Sequence, residues 1–329
     1  MQGLILDSNH KMSAADKHIP VLKEAVLSFF TPQSGQVYLD GTLGMGGHAE
    51  GLLIKATEAK KDITLIGLDR DLDALALAKK RLEPFGKAFT GHHSTFAMFE
   101  EVLNELGIEQ LDGALIDIGV SSMQIDEADR GFSFLHEGPL DMRMDRSTGQ
   151  SAATLVNKLS VVQLKELIST LGEEPMAGKI ARAIDDARAQ SPIETTTQLA
   201  SIVEMAYPAK WRAKARNHPA TRTFQALRMA VNGELDELRD FLERIIPRLT
   251  PGGRVGVITF HSLEDRIVKH FFRDQATGCR CPRHIPVCIC HNTPKVSILT
   301  RKPLTATDEE IRMNPRASSA KFRVAEKLG

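Results

Sequence analysis

The sequence predicts a Rossmann-like, doubly wound α/β fold that is interrupted by an inserted helical domain, and three observations support this. Apolar strands alternate with amphipathic helices over roughly the first 120 residues. Strand patterns are then missing for about 100 residues. A long amphipathic helix, a Pro-Gly-Gly turn and an apolar strand finally restore the alternation. A chain of 329 residues is long enough for two domains with proper cores.

Composition and charge exclude several classes of protein. Apolar residues make up 42% of the chain and charged residues 26%, which is typical of a globular protein. Lys plus Arg and Asp plus Glu number 42 each, so the net charge says nothing about partners. No apolar run approaches the ~18 residues of a membrane span. Residues 1–17 lack the features of a signal peptide and predict a flexible tail, so we expect a cytoplasmic protein.

The first part of the α/β pattern contains four strands. A helix precedes the first strand, and further helices follow each of the first three. The fourth strand is nearly continuous in apolar character, which suits a parallel strand buried on both faces. The predicted strands are Val37–Asp40, Ile63–Asp69, Ala88–Thr90 and Leu111–Ile118.

The middle of the chain shows only helix patterns, from about Ser151 to Pro208. Ser160 can cap a helix that ends at Gly172, and Thr196 precedes another. We therefore predict that residues 18–145 and 223–329 form two parts of one α/β domain. Residues 146–222 are predicted to form an inserted helical domain that recognises the substrate.

The sheet pattern returns in the last third. Apolar residues recur at spacings of three and four from Phe224 to Ile245, which predicts one long amphipathic helix. Pro251, Gly252 and Gly253 then lead into a fifth strand. Two further strands are expected to complete the sheet as an antiparallel hairpin. These three strands are predicted at Val255–Phe260, Val296–Thr300 and Lys321–Ala325.

A glycine-rich loop after the first strand is the clearest functional signal. The run Asp40–His48 contains four glycines before a helix, a layout that presents backbone N–H groups to a ligand. Asp69 ends the second strand, at a spacing where an acid commonly accepts hydrogen bonds from ribose hydroxyls. The loop lacks the third glycine of the dinucleotide fingerprint, and the chain has no phosphate loop. The pattern favours an S-adenosylmethionine pocket, although a turn without a ligand would look similar.

Asp117 ends the fourth strand, where ligands bind in open α/β sheets. An acid in an apolar strand is costly unless it is paired or exposed, so we interpret Asp117 as functional. Residues 119–145 then mix glycines, acids, arginines and aromatics without periodicity. Such a stretch inside a domain is usually functional or disordered, and its large apolar residues argue against disorder.

Several separated motifs resemble the RsmH (MraW) family of ribosomal RNA methyltransferases, from about His18 to the C-terminus. The motifs are the loop Asp40–His48, the blocks within residues 119–145, His218–Arg228, Phe260–Arg266 and Asn314–Ser319. The resemblance implies a class I S-adenosylmethionine-dependent methyltransferase fold. It implies N4-methylation of a cytidine in the decoding centre of 16S ribosomal RNA. It also implies cofactor contacts at Gly46, Gly47, His48, Asp69, Phe96, Asp117 and Gln124.

The residues fit methylation of an exocyclic amine. No Pro-Cys pair follows the fourth strand, which argues against covalent attack on cytosine and hence against C5 methylation. The Asp/Asn-Pro-Pro-aromatic motif of other amino-methyltransferases is also missing, so the acceptor for the amine stays open. The candidates are Asp117, Ser121, Asp141 and Asp145. Alternatively, Asp141 and Asp145 only pair with Arg143 or Arg146.

A basic cluster predicts the surface that binds RNA. Between Met205 and Gly233 there are six cations and no acid, and the only tryptophan lies among them. A basic cluster with an aromatic residue is typical of a phosphate track with one stacking platform, although a solvated basic face has the same pattern. We expect the partner to be 16S rRNA or the small ribosomal subunit, and neither DNA nor a membrane. The predicted contacts are Lys210, Trp211, Arg212, Lys214, Arg216 and Arg222.

All four cysteines lie in one short segment, as the pairs Cys279-x-Cys281 and Cys288-x-Cys290. With His284 and His291 nearby, they could bind zinc. The C-x-C spacing is tighter than the usual gap in zinc sites, so four reduced thiols in a loop are equally open.

Two other functions are also open. A nicotinamide-dependent oxidoreductase would use the same fold, but the missing third glycine disfavours it. A non-catalytic RNA-binding or assembly factor would keep the fold without the chemistry.

Overall fold

A seven-stranded sheet forms the centre of the α/β part of the computed structural model, which describes residues 20–212, 218–281 and 287–329, apart from the Ser122 side chain. The tail at residues 1–17, together with His18, Lys214, Arg216 and His284, lies outside these ranges. The strands are β1 Val37–Asp40, β2 Thr64–Asp69, β3 Phe89–His93, β4 Leu111–Asp117, β5 Leu249–Thr259, β6 Val296–Ile298 and β7 Lys321–Lys327.

The strand order is β3-β2-β1-β4-β5-β7-β6. Strands β1 to β5 are parallel, whereas β7 pairs antiparallel with both β5 and β6. This confirms the doubly wound sheet and the antiparallel hairpin at its edge. The order reverses between β1 and β4, because the chain leaves β1 toward β2 and later returns to the other side of β1. Such a reversal opens a crevice at the carboxyl ends of the strands.

The helices before β1, between the first four strands and directly after β4 are α1 Lys23–Phe29, α2 Gly47–Glu58, α3 Leu72–Leu82, α4 Phe99–Glu105 and α5 Ser122–Asp126. The next group is α6 Ala152–Lys158, α7 Val161–Gly172, α8 Ala177–Arg188, α9 Thr196–Ala206, α10 Ala209–Arg212 and α11 Thr221–Asn232. The last helices are α12 Glu234–Arg248, α13 Ser262–Gln275 and α14 Asp308–Met313. None of the helices in the described ranges is long and apolar enough to cross a membrane.

Alternate residues of the strands face opposite layers, as the side-chain period of a strand requires. On β1, Leu39 lies in an apolar cluster with Phe241 of α12, whereas Tyr38 lies in a second cluster with Leu53 of α2. The sheet is therefore covered by helices on both faces, which explains the nearly continuous apolar character of Leu111–Asp117.

The single long helix predicted from Phe224 to Ile245 is wrong. The structure has two helices, α11 and α12, which meet at Gly233. Gly233 has φ 62°, a left-handed conformation that glycine adopts without steric cost and that ends a helix. The periodicity continues across the break because both helices bury an apolar face.

The buried residues of a third apolar cluster all lie between Leu140 and Leu227, mainly on α6 to α9 and α11. Its helix starts follow local capping rules. Ser160 caps α7 by accepting from the Gln163 N–H, and Thr195, one residue before the predicted position, caps α9. Phe224 and Leu227 of α11 also belong to this cluster. The exact division of the chain into domains stays a prediction.

Candidate functional site

An open cleft lies where the strand order reverses, and its empty space, with open solvent included, is about 1190 Å³. The loop after β1 and the ends of β2 and β4 form its floor, and the first turn of α12 contributes acids to its wall. Six of the seven residues expected to contact a cofactor line this cleft. They are Gly47, His48, Asp69, Phe96, Asp117 and Gln124.

The glycines of the loop have two separate roles. Gly46, the seventh expected residue, precedes α2 with φ 80°, and a Cβ there would face Leu82 and Ala78 of α3, not the cleft. Gly47 lines the cleft, and a Cβ there would lie 2.4 Å from Pro20 Cγ. Gly46 therefore shapes the turn, while Gly47 allows a close approach of two chain segments.

Asp69 is held in place by the backbone around it. Its Oδ2 accepts from the Gly44 N–H at 2.6 Å, and its Oδ1 accepts from the Asp71 N–H at 2.8 Å. Burial raises the pKa of Asp69, and these two hydrogen bonds oppose the rise. Since a carboxylate oxygen has two acceptor sites, each oxygen keeps one for a ligand in the cleft.

His48 and Asp117 face each other at the carboxyl ends of the central strands. His48 Nε2 lies 3.6 Å from Asp117 Oδ2. The Asp117 N–H donates to Thr42 Oγ1 at 2.5 Å, which aligns the end of β4 with the loop after β1. Neither ring nitrogen of His48, nor Asp117 Oδ1, has a hydrogen-bond partner among the described residues. Buried polar atoms normally have partners, so these atoms fit a polar ligand.

Asp40 lies next to this pair and was not among the predicted site residues. It is 3% exposed, and only its Oδ1 accepts a hydrogen bond, from the Thr42 N–H at 3.2 Å. Burial raises the pKa of Asp40 to about 7, although attraction to His48 lowers it. Asp40 ends an apolar strand directly before the glycine loop, and this position could have identified it as a candidate site residue from the sequence.

Gln124 lies in the segment after β4, lines the cleft and is held there by two side-chain hydrogen bonds. Its Oε1 accepts from the Ser121 N–H at 3.0 Å, and its Nε2 donates to Asp71 Oδ2 at 2.8 Å. Arg130 donates to the same Asp71 oxygen at 2.7 Å and to the Met144 carbonyl at 2.9 Å. Asp71 thus orients Gln124. The sequence analysis did not predict this role for Asp71.

Phe96 provides an apolar wall. Its ring packs edge to face against Phe241, with 5.7 Å between the ring centroids. Ile118 and Phe260 also line the cleft. A flat apolar ligand such as a nucleobase could lie against this side.

Two acids of α12 were not predicted either. Glu234 and Glu237 both line the cleft, and each pairs with an arginine. Arg228 donates to both oxygens of Glu234, at 2.8 and 2.7 Å, and Arg70 pairs with Glu237. Arg228, one of the six cations of the basic cluster, is therefore held in an ion pair, and only 16% of its side chain is exposed.

The other two acids proposed as amine acceptors do not line the cleft. Asp141 accepts from Arg143 Nε at 2.7 Å and from Nη2 at 2.9 Å. Asp145 accepts from the Ser147 N–H at 2.8 Å and from its hydroxyl at 2.6 Å. Burial acts to raise the pKa of both acids, but these hydrogen bonds outweigh it and the pKa values are lowered. Both carboxylates are satisfied within their own loop.

The described part of the basic cluster is separate from the cleft. Lys210, Trp211 and Arg212 are exposed on α10, with 54% of the Trp211 surface accessible. Arg222 donates to the Glu173 carbonyl at 3.0 Å. None of these four residues lines the cleft.

The four cysteines also lie apart from the cleft. Their sulfur atoms are all within 4.8 Å of one another.

Comparisons with known proteins give one consistent result. The MraW methylase family model matches residues 15–328. A protein of Oleidesulfovibrio alaskensis named "Ribosomal RNA small subunit methyltransferase H" is 60% identical over 323 residues, which cover 98% of each chain. A protein of the same name from Nitratidesulfovibrio vulgaris is 61% identical over 311 residues, 94% of this chain and 95% of its own. A third, from Citrifermentans bemidjiense, is 52% identical over 312 residues, 94% of this chain and 98% of its own.

Proposed function

The chain belongs to the MraW methylase family, and from this premise we propose that it transfers a methyl group from S-adenosylmethionine to N4 of a cytidine in the decoding centre of 16S ribosomal RNA. Its relatives are named small-subunit ribosomal RNA methyltransferases. The observation that carries the proposal is that Asp69 and Asp117, from different strands, line one cleft together with Gly47 and His48.

The side chains of the cleft fit S-adenosylmethionine. The spare acceptor sites of Asp69 suit ribose hydroxyls, and the apolar wall at Phe96 suits an adenine ring. The loop at Gly47 and the unpaired nitrogens of His48 suit the charged methionine portion. When bound, the cofactor supplies a methyl group on a positively charged sulfur, and the acids around the cleft favour that charge.

Asp117 is the best-placed acceptor for the cytosine amine. The amine lone pair is conjugated with the ring, so a hydrogen bond from the amine to a carboxylate makes the nitrogen a better nucleophile. When the new N–C bond forms, the nitrogen carries an extra proton, which must leave to an acceptor. Asp117 Oδ1 has no partner among the described residues and lines the cleft, whereas Asp141 and Asp145 are engaged elsewhere. We therefore assign the acceptor role to Asp117, whose second oxygen lies 3.6 Å from His48 Nε2.

The helical part would recognise RNA through its exposed basic residues. Lys210 and Arg212 can neutralise phosphates, and Trp211 between them can stack on an unpaired base. We expect the substrate to be 16S rRNA, free or in the small subunit, and the activity to be cytoplasmic. No role for DNA or a membrane is proposed.

Methyl transfer to small ribosomal subunits tests the proposal. Subunits from cells that lack this protein are incubated with S-adenosylmethionine carrying a tritiated methyl group. Mass spectrometry of the rRNA nucleosides then identifies the product. We expect N4-methylated cytidine with the natural chain and more than about a hundredfold less with Asp117→Asn. A label on C5 or on another base would refute the assignment.

The same preparation separates the two competing functions. A non-catalytic assembly factor would bind the subunits without transferring label. An oxidoreductase would bind NADH more tightly than S-adenosylhomocysteine in a calorimetric titration. We expect the reverse preference, because the loop lacks the third glycine of the dinucleotide pattern.

A further inference from the structure

Four cysteine sulfurs form a compact group between α13 and β6. Cys279 and Cys281 come from one arm of this loop, and Cys288 and Cys290 come from the other. All four Sγ atoms lie within 4.8 Å of one another. The fold therefore brings the two C-x-C pairs together. Their spacing in the sequence alone did not decide whether they bind zinc.

The distances between the sulfurs fit a single tetrahedral metal ion. Cys288 Sγ lies 3.6 Å from Cys290 Sγ, which lies 3.9 Å from Cys279 Sγ. In a tetrahedral site with Zn–S bonds of about 2.3 Å, neighbouring sulfurs are about 3.8 Å apart. A disulfide needs about 2.05 Å, and all four cysteines are free thiols.

Backbone N–H groups of the loop point at two of the sulfurs. The Arg280 N–H donates to Cys290 Sγ at 3.2 Å, and the Ile289 N–H donates to Cys281 Sγ at 3.3 Å. Each bond runs from one arm to the second cysteine of the other arm. Hydrogen bonds of this kind stabilise metal-bound thiolates and orient them.

The described part of the loop has no apolar core of its own. Hydrogen bonds close its base, from the Lys295 N–H to the Gln275 carbonyl at 2.8 Å and from Asn292 Nδ2 to the Thr277 carbonyl at 2.8 Å. Beyond the base, none of its described side chains belongs to the apolar clusters, and Val287 and Ile289 are 71% and 66% exposed. A metal ion would supply the cross-link that side-chain packing does not.

We propose that Cys279, Cys281, Cys288 and Cys290 bind one structural zinc ion that fixes this loop. Each thiol loses its proton to solvent as it binds the ion. Four protein ligands fill the tetrahedral coordination, so the ion has no open position for a substrate. The four sulfurs do not line the methyl-transfer cleft, so the site is separate from the proposed chemistry. An iron–sulfur cluster spreads its thiolates over several irons and fits this compact group less well.

Metal analysis of the full-length chain tests the zinc site. The protein is purified under reducing conditions without chelators and measured by plasma mass spectrometry. We expect about one zinc per chain, and less than about a tenth of that in Cys281→Ser/Cys290→Ser. The matched control, Val287→Ser/Ile289→Ser, changes two exposed residues of the same loop and should keep its zinc.

Thiol titration of the natural chain gives a second readout, which does not depend on the folding of the variant. With zinc present, the four thiols should react slowly with a disulfide reagent, and all four should react rapidly after chelation. Four freely reacting thiols with no bound metal, or iron or copper in place of zinc, would overturn the proposal. Neither result would bear on methyl transfer, because that reaction is measured separately.

Discussion

The Arg130 guanidinium donates to the Asp71 carboxylate over 2.7 Å, and the two side chains are only 2% and 3% exposed. The same carboxylate accepts from the Asp73 N–H at the start of α3 and from Gln124 beside the cleft. One buried acid thus connects β2, α3 and the loop after β4. Removing one partner of such a pair leaves a buried charge, which costs far more than the intact pair contributes.

Arg130→Met should lower the free energy of unfolding by about 3–5 kcal/mol, because it leaves the Asp71 charge buried without its main partner. It should also weaken binding of S-adenosylhomocysteine, since Asp71 positions Gln124. Urea unfolding and calorimetric titration measure the two effects. Arg239→Met is the control, because Arg239 and Asp236 are 50% and 88% exposed and such a pair contributes about 0–1 kcal/mol. Equal losses in the two variants would contradict the assigned role.

Asp117→Asn should reduce methyl transfer by about 10²–10⁴-fold, because the amide cannot take up the amine proton. Asp141→Asn and Asp145→Asn should stay within about tenfold of the natural rate, as neither acid lines the cleft. Single-turnover assays with saturating RNA isolate this step. A larger loss of activity in Asp145→Asn than in Asp117→Asn would show that Asp145, and not Asp117, accepts the proton of the amine.

Asp40 should make stability fall as the pH rises. The unfolded carboxyl ionises near its ordinary value of 3.8, whereas the folded one has a pKa of about 7 because it is buried. Between these values unfolding releases a proton, so the free energy of unfolding decreases with pH and levels off above about 7. Asp40→Asn should remove this decrease and be more stable than the natural chain at pH 8, by the order of a few kcal/mol.

Urea unfolding of the chain without cofactor at several pH values between 4 and 8 tests this. Glu166→Gln removes an exposed carboxyl of α7 and should leave the pH profile unchanged. Parallel profiles for Asp40→Asn and the natural chain would show that Asp40 does not titrate in this range.

Lys210→Gln/Arg212→Gln should weaken RNA binding and flatten its dependence on salt. Each lost phosphate contact lowers the slope of log K against log salt by about 0.7 for a single strand. Filter binding at several salt concentrations measures the slope. Lys60→Gln/Lys80→Gln removes the same charge from exposed sites of the α/β part, near the end of α2 and on α3. The basic-cluster prediction fails if both double variants give the natural slope.

Gly47→Ala should lower the affinity for S-adenosylhomocysteine by at least about tenfold, because the added Cβ would lie 2.4 Å from Pro20 Cγ and displace the start of α2. Gly178→Ala on α8 is the control. A Cβ there meets only Lys165 atoms at 3.8 Å, so the change should be neutral or slightly stabilising. Calorimetric titration compares the two variants, and an unchanged affinity in Gly47→Ala would separate this glycine from the cofactor.

The break at Gly233 shows one limit of sequence reasoning. The apolar spacing from Phe224 to Ile245 continues through it, because both helices bury one face. Gly233 alone was a weak signal of a helix end, and the structure shows that it takes a left-handed conformation. Periodicity predicts which face is buried, and it does not predict where a helix changes direction.

The basic cluster shows a second limit. Arg228 is one of six cations that look alike in the sequence, yet it is mostly covered and donates to both oxygens of Glu234. Glu234 lies six residues further along, on the next helix. The break between α11 and α12 creates this pairing, so the sequence alone could not separate Arg228 from Lys210 or Arg212.

By itself, the sequence determined the order of the strands along the chain, the glycine loop and the acids Asp69 and Asp117 at the strand ends. Local patterns in the sequence are enough to identify the strands and the residues that end them. Because a parallel sheet places the carboxyl ends of its strands at one edge, those residues can then be expected to lie close together. Only the tertiary structure decided that Arg130 reaches Asp71, that Asp40 is buried beside His48 and that four sulfurs meet in one loop. Those contacts join residues that are separated in the sequence, and no local pattern indicates which of them will meet. The packing of the helices, strands and loops decides which residues come into contact.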